Sequence, residues 1–175
     1  MSAKRKRSRE EALGGGDAIS LLNHARYLFL RQISEPEENS LRLLVEEATP
    51  DRTETVSTPD LDSPFAEIRS GASPIKSAEG CRTFELDWSR YVAYLVTEEG
   101  VGSGGSDADE VYTGNLLRLY TKSHFLDHLA LDTGGHVQPI QHYKLICQNH
   151  LIDVASYSPP EVRLSESGGT NVKCN

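Results

Sequence analysis

The sequence predicts a single α+β domain built on one antiparallel β-sheet of about five to seven strands, with one or two short helices packed on it. A length of 175 residues suits one domain with tails. Most apolar segments alternate with polar residues at period two, which is typical of half-buried strands. Clusters of Gly, Pro, Asp and Ser separate these segments and favour turns. Because no internal repeat is found, the sequence does not indicate a solenoid or a propeller.

Both ends of the sequence are expected to lie outside this domain, which spans residues 17–164. Residues 1–16 combine basic side chains with three consecutive glycines, which predicts a disordered arm. Residues 165–175 predict a disordered C-terminal tail. The arm is a candidate for nucleic-acid binding, and a solubilising leader without a partner is the simpler interpretation. Its basic residues are Lys4, Arg5, Lys6, Arg7 and Arg9.

The first half of the domain predicts a hairpin, a loop and two further strands. After a short helical turn, the apolar run 27–30 and the alternating segment 41–45 are separated by turn residues, which predicts the hairpin. Four prolines within residues 49–77 predict a long loop that contains a short strand candidate at 65–68. Residues 84–88 alternate, which predicts a half-buried strand. The next segment, 91–96, is apolar at both parities, which predicts a strand that is either central and covered on both sides or passes between a core and an interface, and it is the best candidate for the middle of the sheet.

The second half predicts a hairpin, a helix and a long strand. Residues 99–110 form a glycine-rich acidic loop before residues 111–122, which resume strand character. Ser123 is placed to cap a short helix that ends before Gly134. Residues 141–155 predict one long strand, which two prolines end before a short segment at 162–164.

The charge distribution favours a basic protein as the partner. The formal net charge is −8, and without the five basic residues of the arm the remaining 13 basic and 26 acidic residues give −13. A body of this charge repels phosphate backbones and attracts basic surfaces. Nucleic acid is therefore not expected as a partner, except through the arm.

The sequence predicts a cytoplasmic protein that does not associate with membranes. No apolar stretch approaches the roughly 18–20 residues of a membrane helix, and no apolar core of a signal peptide follows the basic start. The three cysteines, Cys81, Cys147 and Cys174, form no CxxC pair and suit a reducing compartment.

One parity of the predicted strand 141–155 carries most of its titratable and hydrogen-bonding side chains, which are His142, Lys144, Gln148 and His150. Histidine and lysine placed in this way can bind an anion or transfer protons. A solvated sheet face opposite a core face is the simpler interpretation of the same pattern.

His124 and His128 stand four residues apart on the predicted helix, where both rings can face one metal ion. Asp127, His136 and His142 are the further candidate ligands. Phe125 occupies the position that a zinc hydrolase of the HExxH type gives to its general base, so that motif is incomplete. Ordinary surface histidines are the alternative interpretation, and no cofactor is predicted.

Two other motifs have simpler explanations. Gly100, Gly102 and Gly105 match GxGxxG, but acidic residues and a strand follow them where a dinucleotide site needs a helix, so we expect a flexible loop. Cys147 is expected to be a small buried hydrophobic residue, because histidines at offsets of three and five on one strand point away from it.

Three segments between Phe84 and Glu161, FELDWSRYVAYLVTEE, LLRLYTKSHFLDHL and QHYKLICQNHLIDVASYSPPE, resemble an uncharacterised family of small bacterial cytosolic proteins. The resemblance covers less than half of the chain. It implies a bacterial cytosolic origin, and it implies no activity, cofactor or site.

Three functional hypotheses follow, and the sequence does not decide whether the protein is an enzyme. The first is a non-enzymatic interaction module of the immunity or regulatory type, anchored by Trp88, Tyr91 or Tyr94 if exposed, or self-associating through a strand edge. The second is a small enzyme or ligand-binding protein in which the His/Lys/Gln face lines a pocket. The third is nucleic-acid association through the basic arm.

Overall fold

The computed structural model describes residues 15–51, 73–77, 80–102, 109–134 and 139–165. Several sequence predictions therefore lie outside the described residues and stay predictions. They concern the basic arm with its five cationic residues, most of the 49–77 loop, the tip of the glycine-rich loop, His136 and the C-terminal tail.

Within the described residues, ten strands form two antiparallel sheets. The strands of sheet I are β1 (Tyr27–Ser34), β2 (Leu41–Pro50), β3 (Ile75–Lys76), β4 (Thr83–Trp88) and β10 (Glu161–Leu164). The strands of sheet II are β5 (Tyr91–Glu98), β6 (Val111–Thr113), β7 (Leu117–Lys122), β8 (Gln141–Ile146) and β9 (His150–Ser156). The helices are α1 (Gly15–His24), the single turn α2 (Glu99–Gly102) and α3 (His124–Asp132).

The order of sheet I is β1-β2-β4-β10, with β3 also paired to β2, and the order of sheet II is β5-β9-β8-β7-β6. The predicted antiparallel pairing is confirmed, and the prediction of a single sheet is wrong. The change of sheet falls at Ser89 and Arg90, the two residues between β4 and β5. Two sheets allow the apolar faces to cover each other, which one open sheet does not.

One apolar core lies between the two sheets. Sheet I contributes Leu43, Phe84 and Leu86, and sheet II contributes Leu145 and Ile152, all of them buried. Each such side chain contributes about 1.5–3 kcal/mol when it leaves water. The ring of Trp88 meets that of Tyr143 edge-on across the core, at a centroid distance of 6.1 Å. Trp88 is therefore buried and does not serve as an interface anchor.

The predicted long strand 141–155 is a hairpin, and this is the main local correction. β8 ends at Ile146, and a turn of three residues leads into β9. In that turn, the Asn149 side chain accepts from the Leu30 N–H at 2.9 Å and donates to the Leu30 carbonyl at 3.0 Å. The Gln148 N–H donates to the Leu28 carbonyl at 2.8 Å. The turn therefore hydrogen-bonds to the backbone of β1, as a neighbouring strand would, and connects sheet II to sheet I.

The segment 111–122 is likewise split into β6 and β7, and Gly114 makes the turn between them. Gly114 has φ +93°, and a Cβ atom there would lie 2.2 Å from the Leu117 carbonyl oxygen. Only glycine fits such a position without strain. The Asn23 side chain accepts from the N–H groups of Asn115 and Leu117, at 3.0 and 2.9 Å, and so fastens α1 to this turn.

β5 is at the edge of sheet II, and the prediction that it is the central strand is wrong. Its described strand partner is β9 alone. Two of its aromatic residues instead connect β5 to the β1–β2 turn. The hydroxyls of Tyr91 and Tyr94 both donate to Glu35 Oε1, at 2.9 and 3.1 Å. These hydrogen bonds, with burial as the second cause, raise the pKa of both tyrosines.

Two of the cysteines lie within the described residues. Cys147 is a free, buried thiol, and burial raises its pKa to about 12. The thiol therefore keeps its proton at neutral pH and is not activated as a nucleophile. Cys81 is disulfide-bonded, so the cysteines are not all reduced as the sequence had suggested. No helix in the described part of the chain has the length and apolar character needed to cross a membrane.

Candidate functional site

The structure divides the four strand-face candidates between two places. His142 and Lys144 lie on the outer face of β8, since Tyr143 and Leu145 point into the core. Gln148 lies in the turn and His150 begins β9, paired with Glu98 of β5. The predicted continuous face fails because the turn interrupts the strand after Ile146.

His142 is the centre of a buried chain of hydrogen bonds under α3. Its Nε2 lies 2.8 Å from Asp153 Oδ1, and its Nδ1 lies 2.6 Å from Ser123 Oγ. Because a carboxylate only accepts, Nε2 carries a proton toward Asp153, and in the neutral ring Nδ1 then accepts from the serine hydroxyl. Lys144 Nζ lies 3.5 Å from the same oxygen of Asp153. Sequence reasoning found His142 and Lys144, but not Asp153, which only the register of β8 and β9 brings opposite Lys144.

Two aromatic rings enclose the imidazole of His142. The Tyr120 ring stacks on it at a centroid distance of 4.4 Å and an angle of 22°, because the two residues are partners across β7 and β8. The Phe125 ring, from the first turn of α3, lies 5.1 Å away. With these neighbours His142 is 1% exposed.

Ser123 has two functions at the start of α3. Its Oγ accepts from the Leu126 N–H at 3.3 Å, which caps the helix as predicted. The same hydroxyl donates to His142, so the cap is tied to the outer face of sheet II. The helix N-terminus is further held by Glu110, whose Oε1 accepts from the His124 N–H at 2.8 Å.

Ser123, His142 and Asp153 form the series of hydrogen bonds that activates a serine nucleophile in hydrolases. Two observations oppose that role here. Ser123 is only 3% exposed. The N–H groups of His124 and Leu126, which could stabilise an oxyanion beside it, already donate to Glu110 and to Ser123 itself. The arrangement is therefore a satisfied structural network that positions α3.

The two metal candidates, His124 and His128, lie exposed on α3. His128 Nε2 is 3.5 Å from Asp132 Oδ2, in the next turn of the helix. His142 is committed to Ser123 and Asp153, so it is not a third ligand. In the described ranges, no three His, Cys, Asp or Glu side chains are grouped so that they could hold a metal ion.

A cavity of about 260 Å³ lies between α1, the β6–β7 turn and the β9–β10 connection. Its walls include Ile19, Leu119, Tyr143 and Pro160, and they are mainly apolar. Neither Ser123 nor Lys144 lines it, so the polar network and this cavity are separate features.

The charged residues on the outer face of sheet I are largely paired with one another. Arg42 Nε lies 2.7 Å from Asp87 Oδ1, and Arg163 contacts both Asp87 and Glu85. Burial acts to raise the pKa of Asp87, but the hydrogen bonds from the two arginines outweigh it and lower that pKa. Arg31 pairs with Glu46 at 2.7 Å. This face is therefore close to electrically balanced.

The region around β6 and α3 has a different character, and we call it the β6–α3 surface. It carries exposed apolar side chains, which are Val111, Tyr112 and Leu131. It also carries exposed carboxylates, which are Asp109, Asp127 and Asp132. The contact of Glu110 with His124 joins its two elements.

Comparisons of the chain with protein-family models, with curated proteins and with solved structures find no match. The resemblance of residues 84–161 to a small bacterial family thus stays a prediction.

Proposed function

We propose that this protein is a non-enzymatic interaction module that binds a basic protein through the β6–α3 surface, as an immunity-type or regulatory protein does. The observation that carries the proposal is that exposed apolar side chains and exposed carboxylates occur both at β6 and on α3, two elements that the Glu110–His124 hydrogen bond connects. Exposed apolar side chains accompanied by exposed charges are typical of a protein interface.

The packing of α3 supports this proposal. None of the side chains of α3 is fully buried, although the helix contains Phe125, Leu126, Leu129 and Leu131. Leu131 is 81% exposed. A helix that serves only to cover a sheet buries its apolar stripe. The apolar side chains of α3 are thus partly exposed to solvent and can contact a partner.

The charges of the surface support a basic partner in particular. Among the described residues, no lysine or arginine pairs with Asp109, Asp127 or Asp132, whereas the carboxylates of sheet I are held by arginines. Surface carboxylates that no lysine or arginine neutralises accelerate association with a cationic protein. A second copy of this chain would bring like charges together, so self-association through this surface is not favoured.

A pair of matched charge reversals tests the proposal. The Asp127→Lys/Asp132→Lys variant changes the β6–α3 surface, and the Glu37→Lys/Glu38→Lys variant makes the same charge change in the exposed β1–β2 turn. Each variant is used as bait in the native cell extract, and the affinity of any purified partner is then measured. We expect the first variant to bind the wild-type partner at least about ten-fold more weakly and the second to retain it.

Equal binding by both variants would contradict the proposal, as would a partner that is itself acidic. Size measurement of the purified protein is the control for self-association through the β5 edge. A stable dimer that forms without a partner would favour that alternative.

A further inference from the structure

We propose that Arg118, Lys144 and the Tyr120 hydroxyl form a binding site for a small oxyanion, either a carboxylate or a phosphate group, on the outer face of sheet II. This inference goes beyond protein binding and does not depend on the proposed partner.

The register of sheet II brings the three groups together. Arg118 of β7 is the direct partner of Lys144 in β8, and Tyr120 is the partner of His142. Because side chains two residues apart share a face of a strand, Arg118, Tyr120 and Lys144 all project outward on the same side as His142. Two cations and one hydroxyl therefore converge on adjacent strands.

The hydroxyl of Tyr120 indicates that a partner belongs here. Tyr120 is 3% exposed, and its Oη has no hydrogen-bond partner among the described residues. Buried polar atoms in folded proteins are normally satisfied by protein, water or ligand. Burial raises the pKa of Tyr120, and the contact of its hydroxyl with Arg118, together with the charges of Lys144 and Arg118, opposes this only in part. The hydroxyl thus keeps its proton at neutral pH and is available as a donor.

Arg118 does not use all the N–H groups of its guanidinium in contacts with the protein. Its guanidinium lies over the Tyr112 ring at 4.3 Å, and its Nε donates to the Asn115 carbonyl at 3.2 Å. The guanidinium also approaches the Tyr120 hydroxyl and lowers the pKa of that tyrosine as a hydrogen-bond donor would, although the geometry of the contact falls short of a full hydrogen bond. Within the described part of the chain, no carboxylate pairs with Arg118. A guanidinium held flat in this way presents its remaining N–H groups to an oxyanion.

Two carboxylates lie near the site, and both are already engaged. Asp153 accepts from His142, and its 3.5 Å distance to Lys144 Nζ is long for a hydrogen bond. Glu110 accepts from the His124 N–H at the start of α3. Lys144 is therefore shared between Asp153 and an incoming anion, while Arg118 and Tyr120 supply the stronger and more specific contacts.

The test uses the full chain without any partner, titrated with inorganic phosphate and, separately, with acetate. Sodium chloride keeps the ionic strength constant, and binding is followed by calorimetry and by NMR. The site variants are Arg118→Gln and Tyr120→Phe, the second of which keeps the ring that stacks on His142. The matched controls are Arg90→Gln and Tyr157→Phe, since Arg90 also lies over a tyrosine ring, that of Tyr157 at 5.3 Å.

We expect the wild type to bind one of the two anions, and we expect each site variant to raise the Kd at least about ten-fold. The control variants should keep the wild-type Kd. Binding of phosphate alone identifies a phosphate-group site, and binding of acetate identifies a carboxylate site. The inference is overturned if neither anion binds, or if Arg118→Gln and Tyr120→Phe bind as the wild type does. Because no protein partner is present, either result is independent of the proposed docking function.

Discussion

At the scale of single residues, the sequence indicates which side chains are polar but not which of them meet. His142 and Lys144 stood out because they share a strand parity. Ser123 stood out as a helix cap. Asp153 gave no local signal, because its role depends on pairing between β8 and β9. The buried network could therefore be predicted in part, and its central carboxylate could not.

Replacement of Asp153 by alanine should lower the free energy of unfolding by about 3–5 kcal/mol. The change leaves the buried Nε2–H of His142 without its acceptor and the Lys144 ammonium without its nearest counter-charge, and removal of one partner from a buried charged pair is strongly destabilising. Urea unfolding monitored by circular dichroism measures the loss.

Asp132→Ala is the matched control, since that carboxylate is exposed on α3, and we expect it to change stability by at most about 0.5 kcal/mol. Equal stabilities of the two variants would show that the Asp153 network contributes nothing to folding.

At the scale of elements, strand segments were predictable and their turns were not. The β1–β2 hairpin was predicted because Pro36 and Asn39 give a conventional turn signal. The β8–β9 turn carries Cys147, Gln148 and Asn149, with neither glycine nor proline, so period-two alternation continued through it. This turn depends on long-range hydrogen bonds from Asn149 to β1, which no local pattern reveals.

Asn149→Ala should destabilise the fold by about 2–3 kcal/mol, because both backbone groups of Leu30 lose their hydrogen-bond partner. The amide of Leu30 should also exchange its hydrogen faster than in the wild type. Hydrogen exchange read by NMR reports both effects. Gln148→Ala removes the neighbouring side chain but keeps the backbone bond to Leu28, and it should behave as the wild type. An unchanged Leu30 amide in Asn149→Ala would disprove this role of the turn.

Gly114→Ala tests the turn between β6 and β7. The added Cβ would lie 2.2 Å from the Leu117 carbonyl oxygen, at a positive φ that alanine rarely adopts, so we expect a loss of about 1–3 kcal/mol. Gly16→Ala in α1 is the control, because nothing lies within 4 Å of its Cβ position and alanine favours a helix. Thermal unfolding should show a lower Tm for the first variant and an unchanged or higher Tm for the second. The reverse order would contradict the assigned turn geometry.

At the scale of the whole molecule, alternation predicts half-buried strands but not how many sheets they form. The same pattern suits one sheet covered by helices or two sheets covering each other. The change of sheet between Trp88 and Tyr91 has no glycine or proline to mark it. Pairing of distant strands, such as β4 with β10, decides the architecture. The acidic character was evident from composition, but only the structure shows that arginines pair with the carboxylates of sheet I, whereas no described lysine or arginine pairs with Asp109, Asp127 or Asp132.

The dependence of the association rate on ionic strength, measured for the wild type and the two charge-reversal variants with the purified partner, tests the docking proposal most directly. We expect the wild-type rate to fall steeply as salt is added, the Asp127→Lys/Asp132→Lys rate to be low and nearly flat, and the Glu37→Lys/Glu38→Lys rate to follow the wild type. A wild-type rate that does not change with ionic strength, or that both variants reduce equally, would contradict docking through the β6–α3 surface.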